Sequence, residues 1–309
     1  MSTMFTHQSD KTHEEVDLES IIRYYDSIGM EQLSPREGLA GQFVTGPYHL
    51  YCNELIRRKY DMKSGEVVPT DLFLFSEGEA PRREVTKLGG VPYWPASEPW
   101  PTTPDGEPFY FVAQFCFTDS KDLVDDLPGD ILLILFADDD WCGQIGATES
   151  IRFEWQTICD RELIGTSPNI GIEKPFWASV GQGAKDCCYG SLLRYASYPE
   201  AMEEIQQAGR LDLHDVYNDY LAPMPHGTRI GGLPHFSEEL WDDLKDFPGR
   251  FLCQLAYIGG DSGVPYPWLN RESPLSIDES STLFAVGDVG SLYMYLQDDG
   301  SVWSFQTPG

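Results

Sequence analysis

Apolar residues in this chain come in short runs separated by glycine, proline and acidic turns. Ile131 to Ala137 is unbroken, the pattern of a strand covered on both faces and too short for a buried helix. Phe109 to Phe117, Ile151 to Ile158, Leu283 to Val286 and Ser291 to Leu296 read as strands, and Asp71 to Phe75 as a short one. Asp299-Gly300 predicts a hairpin turn, because both residues accept positive φ, with Val302 to Phe305 as the returning strand. Helical spacing shows in Glu14 to Ile28, where Val16, Leu18, Ile21, Ile22 and Tyr25 share a face and Gly29 supplies the stop. Tyr48 to Tyr60, Tyr198 to Gln207 and Asp212 to Leu221 read as further helices. Residues 1–13 read as disordered, Asp119 to Leu127 as a helical turn or loop, and 160–190 as irregular.

The chain also says one thing twice. Lys87-Leu-Gly-Gly-Val-Pro-Tyr93 returns as Arg229-Ile-Gly-Gly-Leu-Pro-His235. Both copies run base, aliphatic, Gly, Gly, aliphatic, Pro, ring. A similar strand follows each, Phe109 to Phe115 and Phe251 to Tyr257. Gly231 lies 142 residues after Gly89, and Gln254 lies 140 after Gln114. A near-constant offset over two features predicts a duplicated unit. The paired glycines free the backbone for a tight turn, and the proline stiffens its exit. The expected class is α+β and β-rich, with two related antiparallel-sheet repeats and peripheral helices. The boundaries fall at 1–70 for an N-terminal helical extension, 71–195 for the first repeat, 196–227 for a helical connector and 228–309 for the second repeat.

Charge narrows the function. Fifty acids against 21 bases give −29. That balance argues against a nucleic-acid backbone and against an anionic membrane surface, both of which select basic patches. It admits a basic protein partner steered by the acidic field, or a surface adapted to salt. Residues 1–10 are polar, with no apolar stretch behind a basic start, so no secretory leader is expected. Seven cysteines without a C-x-x-C pair read as free thiols in a reducing cytoplasm.

Candidate chemistry is sparse. Asp138, Asp140, Gly143 and Glu149 fall at positions 1, 3, 6 and 12 of a calcium loop. Cys142 at position 5 is a poor ligand for a hard cation, and a strand precedes where a helix is needed, so a solvated acidic turn is the plainer reading. Gly260-Asp-Ser-Gly263 matches a serine-protease signature, but no histidine segment accompanies it, and a Gly-Asp turn explains it. No histidine has zinc spacing, and His235 takes the place of Tyr93 as a packing ring. Cys187-Cys188 reads as buried or incidentally exposed, since adjacent cysteines seldom form a useful bridge. The Pro-rich loop carrying Trp94 and Trp100 offers rigid aromatic area, either as a binding surface or as a cap on the sheet. Gln114 and Gln254, each inside an apolar strand, need partners: the neighbouring Gly-Gly turn backbone or a ligand. Walker, Rossmann and nucleophile-elbow motifs do not occur.

Leu88-Gly-Gly-Val-Pro-Tyr-Trp-Pro95, Trp100-Pro101, Phe111-Val-Ala-Gln-Phe115 and Leu127-Pro-Gly-Asp-Ile-Leu132 resemble the YwqG-like family of uncharacterised bacterial proteins. Ile230 to Pro234, Leu252 to Leu255 and Gly287 to Gly290 are similar in the second copy, so the resemblance spans roughly residues 70 to 309. It implies a cytoplasmic protein with a duplicated β-rich fold, no established reaction, and an association of some relatives with toxin systems. The expected function is a non-enzymatic binding protein whose acidic surface and Trp-Pro loop engage a basic protein, in the manner of a toxin-neutralising module. The rival is an enzyme or a small-ligand or divalent-metal binder, with Asp138, Asp140, Asp261 and Asp288 lining a cleft between repeats.

Overall fold

The computed structural model describes residues 19, 23, 27, 68–80, 82–137, 150–172, 178–182, 187–197, 227–234, 249–256, 258–259, 282–286 and 290–306. These residues form strands β1 (Val68–Glu77), β2 (Lys87–Gly89), β3 (Tyr110–Cys116), β4 (Ile131–Phe136), β5 (Ile151–Gln156), β6 (Ala178–Gln182) and β7 (Cys187–Ser197). They continue with β8 (Arg229–Ile230), β9 (Arg250–Leu255), β10 (Ile258–Gly259), β11 (Thr282–Val286), β12 (Leu292–Leu296) and β13 (Val302–Gln306). Ten of them make one antiparallel array in the order β13-β12-β9-β8-β1-β7-β2-β3-β4-β5. It divides into two five-strand halves that meet at β1 and β7, which pair over ten residues from Val68↔Ser197 to Glu77↔Cys188. The rest form a three-strand sheet, β10-β11-β6.

The unbroken apolar run becomes β4, buried along its whole length between β3 and β5. On one face Ile131, Leu133, Leu135 and Phe111 pack with Tyr93, Trp94 and Phe109, backed by half-buried Trp100, Leu163 and Ile164. Each such side chain contributes roughly 1.5–3 kcal/mol by leaving water. The other half has an aromatic cluster: Tyr293, Tyr295 and Phe305 with Phe251 and Trp303. Its rings meet mainly edge to face, as between Phe251 and Tyr295 at 5.6 Å, the arrangement their quadrupoles favour. Asp299 accepts from the Ser301 amide at 2.9 Å and fixes the expected β12–β13 hairpin.

The register is unchanged when the two halves are exchanged. Lys87 pairs outward with Gln114 and inward with Tyr189, which pairs with Ser76. Arg229 pairs outward with Gln254 and inward with Leu72, which pairs with Leu193. Ser76 follows Leu72 by the same four places as Leu193 follows Tyr189. Each of the two central strands thus lies beside the basic turn strand of its own half: β1 against β8, and β7 against β2.

One expectation changes. The described residues are β-rich, and helix appears among them only at the exposed Glu19, Arg23 and Ser27, inside the stretch Glu14–Ile28. The helices expected at Tyr48–Tyr60, Tyr198–Gln207 and Asp212–Leu221 lie outside the described residues. The stretch 160–190, expected to be irregular, holds β6 and the start of the central strand β7. Gly190 breaks the apolar pattern of β7 for a packing reason, since a Cβ there would stand 2.8 Å from Phe73 Cδ1.

Candidate functional site

The two basic turns are built alike, atom for atom in several places. Gly89 and Gly90 have φ of 59° and 73°, and Gly231 and Gly232 have 66° and 72°. Two successive left-handed residues curl the chain back, so that the base reaches a carbonyl four residues on. Lys87 Nζ donates to Val91 O, and Arg229 Nη1 donates to Leu233 O at 3.2 Å. The residue before each base adds a second match. Thr86 Oγ1 accepts from Cys116 N at 3.0 Å, and Thr228 Oγ1 from Ala256 N at 3.2 Å. Both threonines were legible in the sequence as a repeated Thr before the base, a signal that the seven-residue motif cuts off.

Lys87 is almost fully buried and also donates to Glu79 Oε1, while Glu79 Oε2 accepts from the Val91 amide at 2.9 Å. Burial pulls the Lys87 ammonium below its ordinary range, against the opposing pull of Glu79. Arg83 shares the turn carbonyl, donating to Val91 O at 2.6 Å and to Ile164 O at 2.8 Å. Arg229, also fully buried, adds Gly227 O at 3.3 Å. The glutamines sit beside these bases in the sheet. Gln114 accepts from the Tyr93 amide at 2.8 Å and donates to Arg83 O and Val85 O at 2.8 and 2.7 Å. Its amide joins β3 to the turn exit and to the segment that leads into β2. Gln254 is buried at the matching place on β9.

The tryptophans face inward. Trp94 is buried and Trp100 half-buried, edge to face at 5.2 Å. Their indole N–H groups donate to Glu98 O at 3.1 Å and Phe109 O at 2.8 Å. Between the two tryptophans, Ala96 to Pro99 are exposed. Asp138, Asp140 and Glu149 lie outside the described residues, as do Asp261, Asp288, His235 and the Gly260–Gly263 signature. Among the described residues no group of three or more His, Cys, Asp or Glu is placed to hold a metal.

A second polar cluster marks the seam between the halves. Asp71 on β1 is fully buried and pairs across the strands with Arg194 on β7. Arg194 donates to Asp71 through Nε and Nη2 and to Asp122 through Nη1 and Nη2, the latter pair at 2.6 and 3.0 Å. Ser120 Oγ donates to Asp71 Oδ2 at 2.6 Å. Burial pushes the Asp71 carboxyl up, while Arg194 and Ser120 pull it down. Arg194 holds the exposed Asp122 carboxyl below the usual carboxylate range. This arrangement fixes strands: every group named is bonded to the chain itself.

The family model described as Domain of unknown function (DUF1963) matches residues 86–301, and the chain belongs to that family. The match begins at Thr86 and takes in both basic turns. No curated protein matches the chain.

Proposed function

We propose that the chain is a non-enzymatic binding protein of the YwqG-like kind, built from a duplicated unit, whose acidic surface holds a basic protein partner in the manner of a toxin-neutralising module. The observation that carries this reading is the charge left for a partner. The chain has 50 acids against 21 bases, a net charge of −29. Lys87 and Arg229 are buried, and the partly exposed Arg194 and Arg250 are already paired with the chain's own Asp71, Asp122 and Asp125, so the surface keeps an acidic excess. Such a field favours encounter with a cationic surface and repels nucleic acid. The matched turns support duplication, since Thr86 and Thr228, Lys87 and Arg229, and both Gly-Gly pairs have the same roles. Free thiols at Cys116, Cys187, Cys188 and Cys253, all buried, fit a reducing cytoplasm.

The test is capture from a native lysate of the source cells on immobilised full-length chain, loaded at low salt and eluted in steps. A stoichiometric protein of basic isoelectric point, released by salt alone, is the expected result. Recovery of a small molecule or a metal in place of such a protein would instead favour the carboxylate-cleft reading.

A further inference from the structure

We propose that residues 118–129, which join β3 to β4, form a clasp over the seam, closed by ion pairs to β7 and β9 and opened by salt while the ten-strand sheet stays folded. The base of this segment is fixed. Phe117 N donates to Asp130 O and Asp130 N to Gln156 O, both at 2.9 Å, and Asp130 Oδ2 accepts from Ile158 N at 2.9 Å. From that base the segment reaches across the seam. Ser120 holds Asp71 on β1, and Asp122 holds Arg194 on β7. Leu123 lies on the second basic turn, so close that a Cβ on Gly231 would stand 2.9 Å from Leu123 Cβ. Asp125 takes Arg250 on β9 through both its carboxylate and its carbonyl. Pro128 lies against Gly300 in the β12–β13 turn, where a Cβ would come within 3.2 Å of Pro128 Cγ.

The outer attachments are weak in a particular way. The Asp122 and Asp125 side chains are 63% and 74% exposed, and their partners Arg194 and Arg250 are 33% and 42% exposed. Exposed pairs contribute little each and are screened by salt. The sheet beneath depends on strand ladders and on the buried run of β4, which salt does not weaken. Within the segment the Leu123 and Val124 amides donate to Ser120 O at 2.9 and 3.1 Å, and they exchange with solvent when the clasp opens. Opening releases Asp71 from Ser120 and uncovers Gly231.

Hydrogen exchange with mass-spectrometric readout on the full chain, at 0.05 and 1 M salt, tests this, with an unstructured reference peptide correcting the intrinsic rate. Exchange in peptides covering 118–130 is expected to quicken roughly fivefold at high salt, while peptides from β4 keep their rate. Asp122→Asn with Asp125→Asn should exchange quickly already at low salt and lose the salt response. Arg250→Gln, a milder change at a half-exposed side chain, should show about half of that loss. Equal rates at both salts in the wild type overturn the clasp. So does a salt response shared by β4 peptides, because that is global unfolding, and so does a full salt response retained in both variants.

Discussion

The two basic turns have one geometry and two chemistries. In the first, a lysine shares its carbonyl target with Arg83 and has a carboxylate partner, Glu79, at the rim. In the second, an arginine reaches two carbonyls from a fully buried position. The glycines differ in the same sense. A Cβ on Gly90 would meet chiefly the carboxylate end of Glu79, at 2.2 Å, whereas one on Gly232 would meet Thr70 Cβ at 2.6 Å and Oγ1 at 2.8 Å on β1. The first turn is closed by side chains that can move, and the second is locked against the strand that passes beneath it. Thr70 completes that lock by donating to Ile230 O and Gly231 O at 3.3 and 3.1 Å.

The largest expected effect is at the glycines. Gly232→Ala combines a left-handed φ of 72° with contact on a rigid strand and should cost about 3 kcal/mol in denaturant unfolding. Gly90→Ala has the same backbone penalty, a chief neighbour that can swing away and a milder contact with Cys187 Cβ at 3.0 Å, and should cost about 1–2 kcal/mol. Equal losses would erase the distinction between the turns.

The bases come next. Arg229→Met strips donors from two carbonyls and should cost about 2 kcal/mol or more. Lys87→Met leaves Val91 O with Arg83 and leaves the rim carboxylate of Glu79 to the Val91 amide and water, so it should cost about 1 kcal/mol, less than Arg229→Met. Denaturation midpoints of the two variants, measured side by side, check the order.

The smallest effect is a pH slope. Because burial lowers the Lys87 value from 10.5, the unfolded chain binds more protons than the folded one between the lowered value and 10.5. The stability contributed by this residue is therefore least below that window and grows as pH rises through it. Wild type should gain on Lys87→Met as pH is raised from neutrality towards 10.5, in paired thermal melts. A wild-type disadvantage that deepens with pH would reverse the sign and remove burial as the dominant cause.

Much of this was legible in the residues. The unbroken run of β4, the Asp299-Gly300 hairpin and the repeated base-Gly-Gly-Pro signal all appear where they were expected, because each rests on local chemistry that no distant contact overrides. Gln114, expected to bond the Gly-Gly turn backbone or a ligand, takes the Tyr93 amide just past the turn and two carbonyls that only the folded sheet brings near. Less was legible where long-range pairing decides. Nothing local in Cys187 to Ser197 announces a central strand, since its glycine is explained by a phenylalanine more than a hundred residues away. Asp71 reads as a polar strand end, and its burial depends on Arg194 and Ser120 arriving from two other segments. Trp94 and Trp100 likewise join a cluster that half-buried Leu163 and Ile164 complete from a distant segment, which loop composition does not encode.

Calorimetric titration of the captured partner into the full chain from 0.05 to 0.5 M salt shows whether the acidic surface holds that partner. Affinity should fall steadily as salt rises, because the charges that attract lie on the surface and within reach of screening. An affinity unchanged across that range would show that the surface charge does not hold the partner and would contradict the account.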